Sequence, residues 1–250
     1  MGMVRQSRAQ SLPPTILLTR PLPQSQRFAR ALAEICDLPV AISPLMAARA
    51  LEPILPQRPF SAVILTSETG AELAGQMRGL PRLAYCVGDR TAAIAAEQGF
   101  QAVSAEGDAQ RLAALIVARN DAGPLLHLRG ADSRGNLAKT LTKGGTVTDE
   151  TVIYDQQPQR MTAEARALIA SGQPLIVPLF SPRSARLFRQ EAGQPAGPLW
   201  LAALSPAVAE ELAPLAADGL EIAERPDARA MLVAVQRLIA SACSAGPSTP

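Results

Sequence analysis

The stretch Ala62-Val63-Ile64-Leu65-Thr66-Ser67-Glu68-Thr69-Gly70-Ala71 decides how the chain is read: an apolar run stops in two hydroxyl side chains and becomes helix-like. A near copy follows as Ile176-Val177-Pro178-Leu179-Phe180-Ser181-Pro182-Arg183-Ser184-Ala185. In each, a buried-type strand delivers Ser or Thr to the position of a helix N-cap, leaving backbone N–H groups and the positive end of the helix dipole facing outward. Such ends attract anions. Two of them, one in each half, suggest two lobes holding a multiply charged anion.

Working outward, Ile16-Leu17-Leu18-Thr19-Arg20-Pro21 reads as a strand and turn, followed by helical periodicity over Ser25 to Cys36 through Phe28, Leu32 and Ile35. Leu38 to Met46 is extended by its prolines, either an edge strand or a linker. From Ala62 strands and helices alternate: helix 69–77, strand 83–87, helix 91–98, strand 101–104, helix 108–118, strand 125–128, helix 135–143 and a β-rich segment 146–154. After the polar exit Asp155 to Pro158, a second series runs through helix 162–170, strand 175–180, helix 183–191, strand 199–203, helix 207–217, strand 220–223 and helix 228–242. Alternation of this kind predicts parallel sheets covered by helices.

The second series lacks a first strand, and Ile16 to Leu18 can supply it. The expected fold class is therefore α/β, with two Rossmann-like lobes of parallel sheets joined by a two-stranded extended linker and an active site in the cleft between them. Residues 15–39 and 162–242 form one discontinuous lobe, 51–148 the other, and 40–50 with 149–161 the ladder joining them. Residues 1–14 are expected to be a flexible arm and 243–250 a disordered tail.

Composition narrows the function. The 250 residues carry 24 basic and 22 acidic side chains and only 3% aromatics, so neither a global basic field nor base stacking favours nucleic acid. Cys36, Cys86 and Cys243 are widely spaced and form no CxxC, which fits a reducing cytoplasm better than a disulfide framework or zinc site. The uncharged run Ala192 to Ala209 is broken by Pro195, Pro198 and Pro206, so no membrane span is expected. No GxGxxG or GxxxxGK is present, and no GxSxG elbow accompanies the single histidine, His127, which reads as a packed strand residue.

Thr66, Ser67 and Ser181 are each sufficiently explained as caps, but all fall at carboxyl ends of parallel strands, where open α/β sheets bind ligands. Thr91 repeats the device in Val87-Gly88-Asp89-Arg90-Thr91-Ala92. Arg20, Arg129 and Arg183 follow strands and would supply fork donors for carboxylates. Tyr154, one of two tyrosines, is either an amphipathic anchor or a phenol presented to the cleft.

Together these segments resemble uroporphyrinogen-III synthase: Leu18-Thr19-Arg20-Pro21, Leu65-Thr66-Ser67, Val87-Gly88-x-x-Thr91-Ala92, Leu128-Arg129-Gly130 with Arg134 and Leu137 behind it, Val152-Ile153-Tyr154, and Phe180-Ser181-Pro182. Order and spacing carry the resemblance, from about Ile16 to about Ile239. It implies a hydro-lyase of tetrapyrrole (heme) biosynthesis that binds hydroxymethylbilane, a linear polycarboxylate tetrapyrrole. The terminal hydroxyl leaves as water, the azafulvene attacks the substituted carbon of ring D, and a spiro intermediate rearranges to close the macrocycle with ring D inverted. The resemblance implies Tyr154 as the side chain helping the hydroxyl depart, and Thr66, Ser67, Thr91, Arg129 and Ser181 as carboxylate contacts, with Arg20 beside them. It implies no cofactor or metal; the cysteine pattern points to the cytoplasm, and a monomer in at most transient contact with the preceding enzyme of the pathway is expected. One departure stands out: where the family commonly has Gly-Pro-Thr-Thr/Ser-Ala, this chain has Ser205-Pro206-Ala207-Val208-Ala209, making Ser205 a candidate contact in place of the missing threonine. Two other classes fit the bare pattern: a two-lobed cytosolic anion-binding or sensing module without catalysis, and a group transferase, for which no donor-phosphate site is found.

Overall fold

A computed structural model describes residues 13–119, 123–132 and 135–244. The expected arm falls outside them except for Pro13 and Pro14, as do Arg134 and the last six residues of the expected tail. The chain divides into two compact units, Met1–Ala47 with Pro158–Pro250, and Ala48–Gln157.

In the first unit, strand β1 (Thr15–Leu18) leads into helix α1 (Leu22–Ala33) and strand β2 (Val40–Ile42). The short β3 (Met46–Ala50), which spans the boundary at Ala47, belongs to the second unit's sheet. There β4 (Ala62–Leu65), α2 (Glu68–Gly75), β5 (Leu83–Cys86), α3 (Asp89–Glu97), β6 (Gln101–Ser104), α4 (Ala109–Arg119), β7 (Leu125–Gly130), α5 (Leu137–Lys143) and β8 (Thr148–Pro158) follow in order. The chain returns to the first unit with α6 (Ala163–Ala170), β9 (Leu175–Leu179), α7 (Pro182–Ala192), β10 (Leu199–Ala203), α8 (Pro206–Leu212), β11 (Gly219–Ile222) and α9 (Ala228–Ser244).

The first unit's sheet has strand order β11-β10-β9-β1-β2, and β1 lies parallel to β9 with Ile16 opposite Ile176. The N-terminal strand thus supplies the start that the C-terminal series lacks. Val40–Ile42 pairs parallel to β1, so this stretch is an edge strand of that sheet and no part of a linking ladder. Helix α1 begins three residues earlier than the periodicity predicts, because Pro23 suits the first turn, where its missing N–H costs nothing. It ends at Ala33, leaving Ile35 outside the helix and 37% exposed. At the other end of the chain α9 continues to Ser244, so Cys243 and Ser244 are helical rather than part of a tail.

The second unit's sheet has order β3-β8-β7-β4-β5-β6. The pairs β7–β8, β7–β4, β4–β5 and β5–β6 are all parallel. Strand β4 is buried on both faces, which explains its unbroken Ala-Val-Ile-Leu run. From β4 the chain winds outward through β5 and β6, then returns to the opposite side of β4 as β7. The gap between the carboxyl ends of β4 and β7 is therefore the topological switch point of this sheet. Strand β8 runs through Asp155 to Pro158, the polar stretch that the sequence marks as extended.

Helix α7 shows how the hydroxyl signals fold locally. Ser181 Oγ accepts from the Ser184 N–H at 3.1 Å, and Ser184 Oγ accepts from the Ser181 N–H at 3.1 Å, a reciprocal capping box. Ser181→Ala removes one half of it and is expected to cost about 1 kcal/mol in urea unfolding. An unchanged midpoint would show the cap to be redundant.

Candidate functional site

Three of the predicted residues come together at the second unit's switch point. Thr66 and Ser67, just beyond β4, line one cavity with Tyr154 of β8, along with His127 and Gly130 of β7. Val87, Ala109, Asp132, Gly135, Leu137 and Gln156 complete a wall around about 370 Å³, within the range of small-molecule sites.

Tyr154 reaches this cavity because the β7–β8 ladder is irregular. Registration runs from Leu125 opposite Thr148 to Arg129 opposite Val152, then slips so that Gly130 faces Tyr154. In an unbroken strand Ile153 and Tyr154 would point to opposite faces. The bulge lets both pack in one cluster with Leu65, Ala71 and Leu128. Gly130 is the only residue type that fits beneath the ring, since a Cβ there would sit 2.6 Å from Tyr154 Cζ. The phenol oxygen lies 2.9 Å from Ser67 Oγ, which also accepts the Gly70 N–H at 2.9 Å as the N-cap of α2. Ser67 thus joins the start of α2 to the tyrosine.

His127 is 4% exposed, and its Nε2 is 3.2 Å from Thr66 Oγ1. Its Nδ1 is 3.7 Å from Glu150 Oε2 on β8, beyond hydrogen-bond reach, and has no hydrogen-bond partner. Burial pushes the imidazole pKa down to about 4; Glu150 raises it and Arg129 lowers it further. As pH falls below about 6.5 the unfolded histidine binds a proton that the folded one refuses until about 4. This group's stability contribution is complete above 6.5 and is lost progressively toward 4, by about 3 kcal/mol at most. Urea unfolding between these pH values should show that slope in the wild type and a shallower one in His127→Gln; equal slopes would contradict it.

The remaining candidates stand elsewhere. Arg129 belongs to β7 itself and not to a strand exit; its Nε donates to Glu150 Oε2 at 3.0 Å and its Nη1 to the Gly130 carbonyl at 3.1 Å. Its fork is engaged within the sheet, and the fork-donor reading of Arg129 is corrected accordingly. Thr91 is buried in the first turn of α3 and does not line the cavity. Arg20, Ser181 and Ser205 belong to the first unit. There Arg20 stacks on the Phe180 ring at 4.1 Å, and Ser181 caps α7. Ser205 precedes α8 in extended conformation and makes no side-chain cap.

Sequence reasoning passed over His127, Asp132 and Gln156. Two-residue spacing from Tyr154 on one strand would have flagged Gln156, since such residues share a face. No comparable signal marks His127, because β7 is buried on both sides and reads as uniformly apolar.

A family model described as uroporphyrinogen-III synthase HemD matches residues 28–233. Among solved structures, uroporphyrinogen-III synthetase from Helicobacter pylori superposes with a TM-score of 0.60 at 17% identity, over 90% of this chain and 99% of that one. Wild-type uroporphyrinogen III synthase from the extremely thermophilic bacterium Thermus thermophilus is 14% identical over 92% of this chain and 99% of its own, with a TM-score of 0.40. No curated protein sequence matches the chain.

Proposed function

The chain belongs to the uroporphyrinogen-III synthase family, cyclising hydro-lyases of heme biosynthesis, and from that premise we propose how its residues close hydroxymethylbilane to uroporphyrinogen III. The observation that carries the assignment of roles is the convergence of Tyr154, Ser67 and Thr66 on one cavity at a sheet switch point.

Tyr154 is the group that helps the terminal hydroxyl leave. Ser67 Oγ accepts from the Gly70 N–H and lies 2.9 Å from the phenol oxygen; with Ser67 as the donor of that contact, the phenol O–H points at the departing hydroxyl. The proton lent to the leaving water is recovered at the end: the spiro intermediate breaks the bond between the substituted carbon of ring D and its bridging carbon, and the unsubstituted carbon of ring D that then bonds to this bridging carbon loses its hydrogen. The azafulvene is reactive by itself, and the protein's larger task is to hold the chain so that the substituted carbon of ring D is attacked. Backbone N–H groups at the start of α2 take carboxylates of the substrate. Thr91, and in the first unit Arg20, Ser181 and Ser205, are the further candidate carboxylate contacts.

The test is kinetic. Pure protein added to hydroxymethylbilane as the preceding enzyme releases it should speed its disappearance well beyond the spontaneous rate. Decay at the buffer rate, with the ligand merely bound, would overturn the assignment in favour of a binding module.

A further inference from the structure

Among the described residues, His127 is the one buried titratable group lining the cavity that the reaction above does not use. We propose that His127 is a positioning residue that takes the hydroxyl hydrogen of Thr66, so that Thr66 meets the ligand with oxygen lone pairs and selects a pyrrole N–H over a carboxylate. This deepens, and rests on, the tetrapyrrole reading of the site.

The argument turns on which ring nitrogen holds the proton. Nδ1 faces the Glu150 carboxylate at 3.7 Å and has no hydrogen-bond partner. A lone pair directed at a carboxylate is repelled, whereas an N–H so directed is attracted. The proton therefore belongs on Nδ1, with Arg129 Nε holding the same Glu150 oxygen at 3.0 Å and fixing its place. Nε2 is left bare, 3.2 Å from Thr66 Oγ1, and can only accept. Burial, which keeps the ring neutral above about pH 4, preserves this arrangement at physiological pH.

Thr66 has one hydrogen, and it is committed to the imidazole. Toward the cavity it offers only acceptor capacity, which suits an N–H donor and repels a carboxylate. Glu150, Arg129, Asp132 and Tyr154 are the ionisable groups around this chain of contacts. A linear tetrapyrrole presents both kinds of group: acidic side chains for backbone amides and ring N–H donors for an oxygen such as this one. Thr66 thereby reads the ring, while its neighbours read the acids.

The chain has one histidine, so a two-bond nitrogen–proton correlation spectrum of the full-length 15N-labelled protein contains one imidazole. At neutral pH the expected pattern is protonated Nδ1 and bare Nε2, and Thr66→Val should move the Nε2 resonance while leaving Nδ1 protonated. A proton on Nε2, or an Nε2 resonance indifferent to Thr66→Val, overturns the proposal. A second arm titrates the wild type with a pyrrole dicarboxylate and with its N-methyl counterpart, following the same resonances. Loss of the N–H should weaken binding roughly tenfold. Equal affinity, or no response to either compound, overturns it. Both arms can succeed even if hydroxymethylbilane is not turned over, in which case the proposed reaction fails and the role of His127 stands.

Discussion

Replacing Tyr154 by Phe is expected to lower turnover of hydroxymethylbilane by roughly 10²-fold or more, the usual range for removing a positioned acid. The same change should leave the fold intact. The ring keeps its place against Leu65, Ala71 and Leu128, and only the 2.9 Å contact with Ser67 is lost, worth about 1 kcal/mol. Initial rates and a melting curve on the same preparation separate the two effects. A rate equal to wild type would remove the phenol from the mechanism, whereas a collapsed melting curve would show the hydroxyl to be structural.

The second large effect is expected at Gly130. A methyl group there would sit 2.6 Å from Cζ, 2.7 Å from Cε2 and 2.8 Å from the hydroxyl oxygen of Tyr154, all far inside van der Waals contact. The ring cannot simply retreat. It is packed in one cluster with Leu65, Ala71 and Leu128, which leaves it little room to shift. Gly130→Ala should therefore displace the phenol from Ser67 and reduce activity about as far as Tyr154→Phe, with about 1–3 kcal/mol of destabilisation from overpacking. Because both changes act through one hydroxyl, adding Gly130→Ala to Tyr154→Phe should cost little further activity. Fully multiplicative losses would show that Gly130 matters by some other route.

The sequence made the α/β class legible because both sheets are built of short apolar strands bounded by hydroxyls, glycines and prolines. The strand run Ala62 to Leu65 and the cap at Ser67 are where the pattern predicts them, since each is decided by residues within one turn. What depended on distant partners was harder to read. Val40–Ile42 carries the same apolar-proline signature whether it pairs with β1 or links two lobes, and only the neighbouring strand decides. Arg129 looks like an exposed fork until β8 brings Glu150 beside it. The bulge that seats Tyr154 over Gly130 leaves no local mark, because neither residue announces which partner it will face. His127 was obscured by its own strand: a polar residue within a doubly buried apolar run looks like packing until Thr66 and the cavity are seen next to it.

The central claim is that this chain governs which carbon of the last ring closes the macrocycle. The direct measurement is the isomer composition of the porphyrin recovered by oxidation after pure protein has acted on freshly released hydroxymethylbilane. The account predicts that the type III isomer predominates; type I alone, the product of unguided closure, would contradict it.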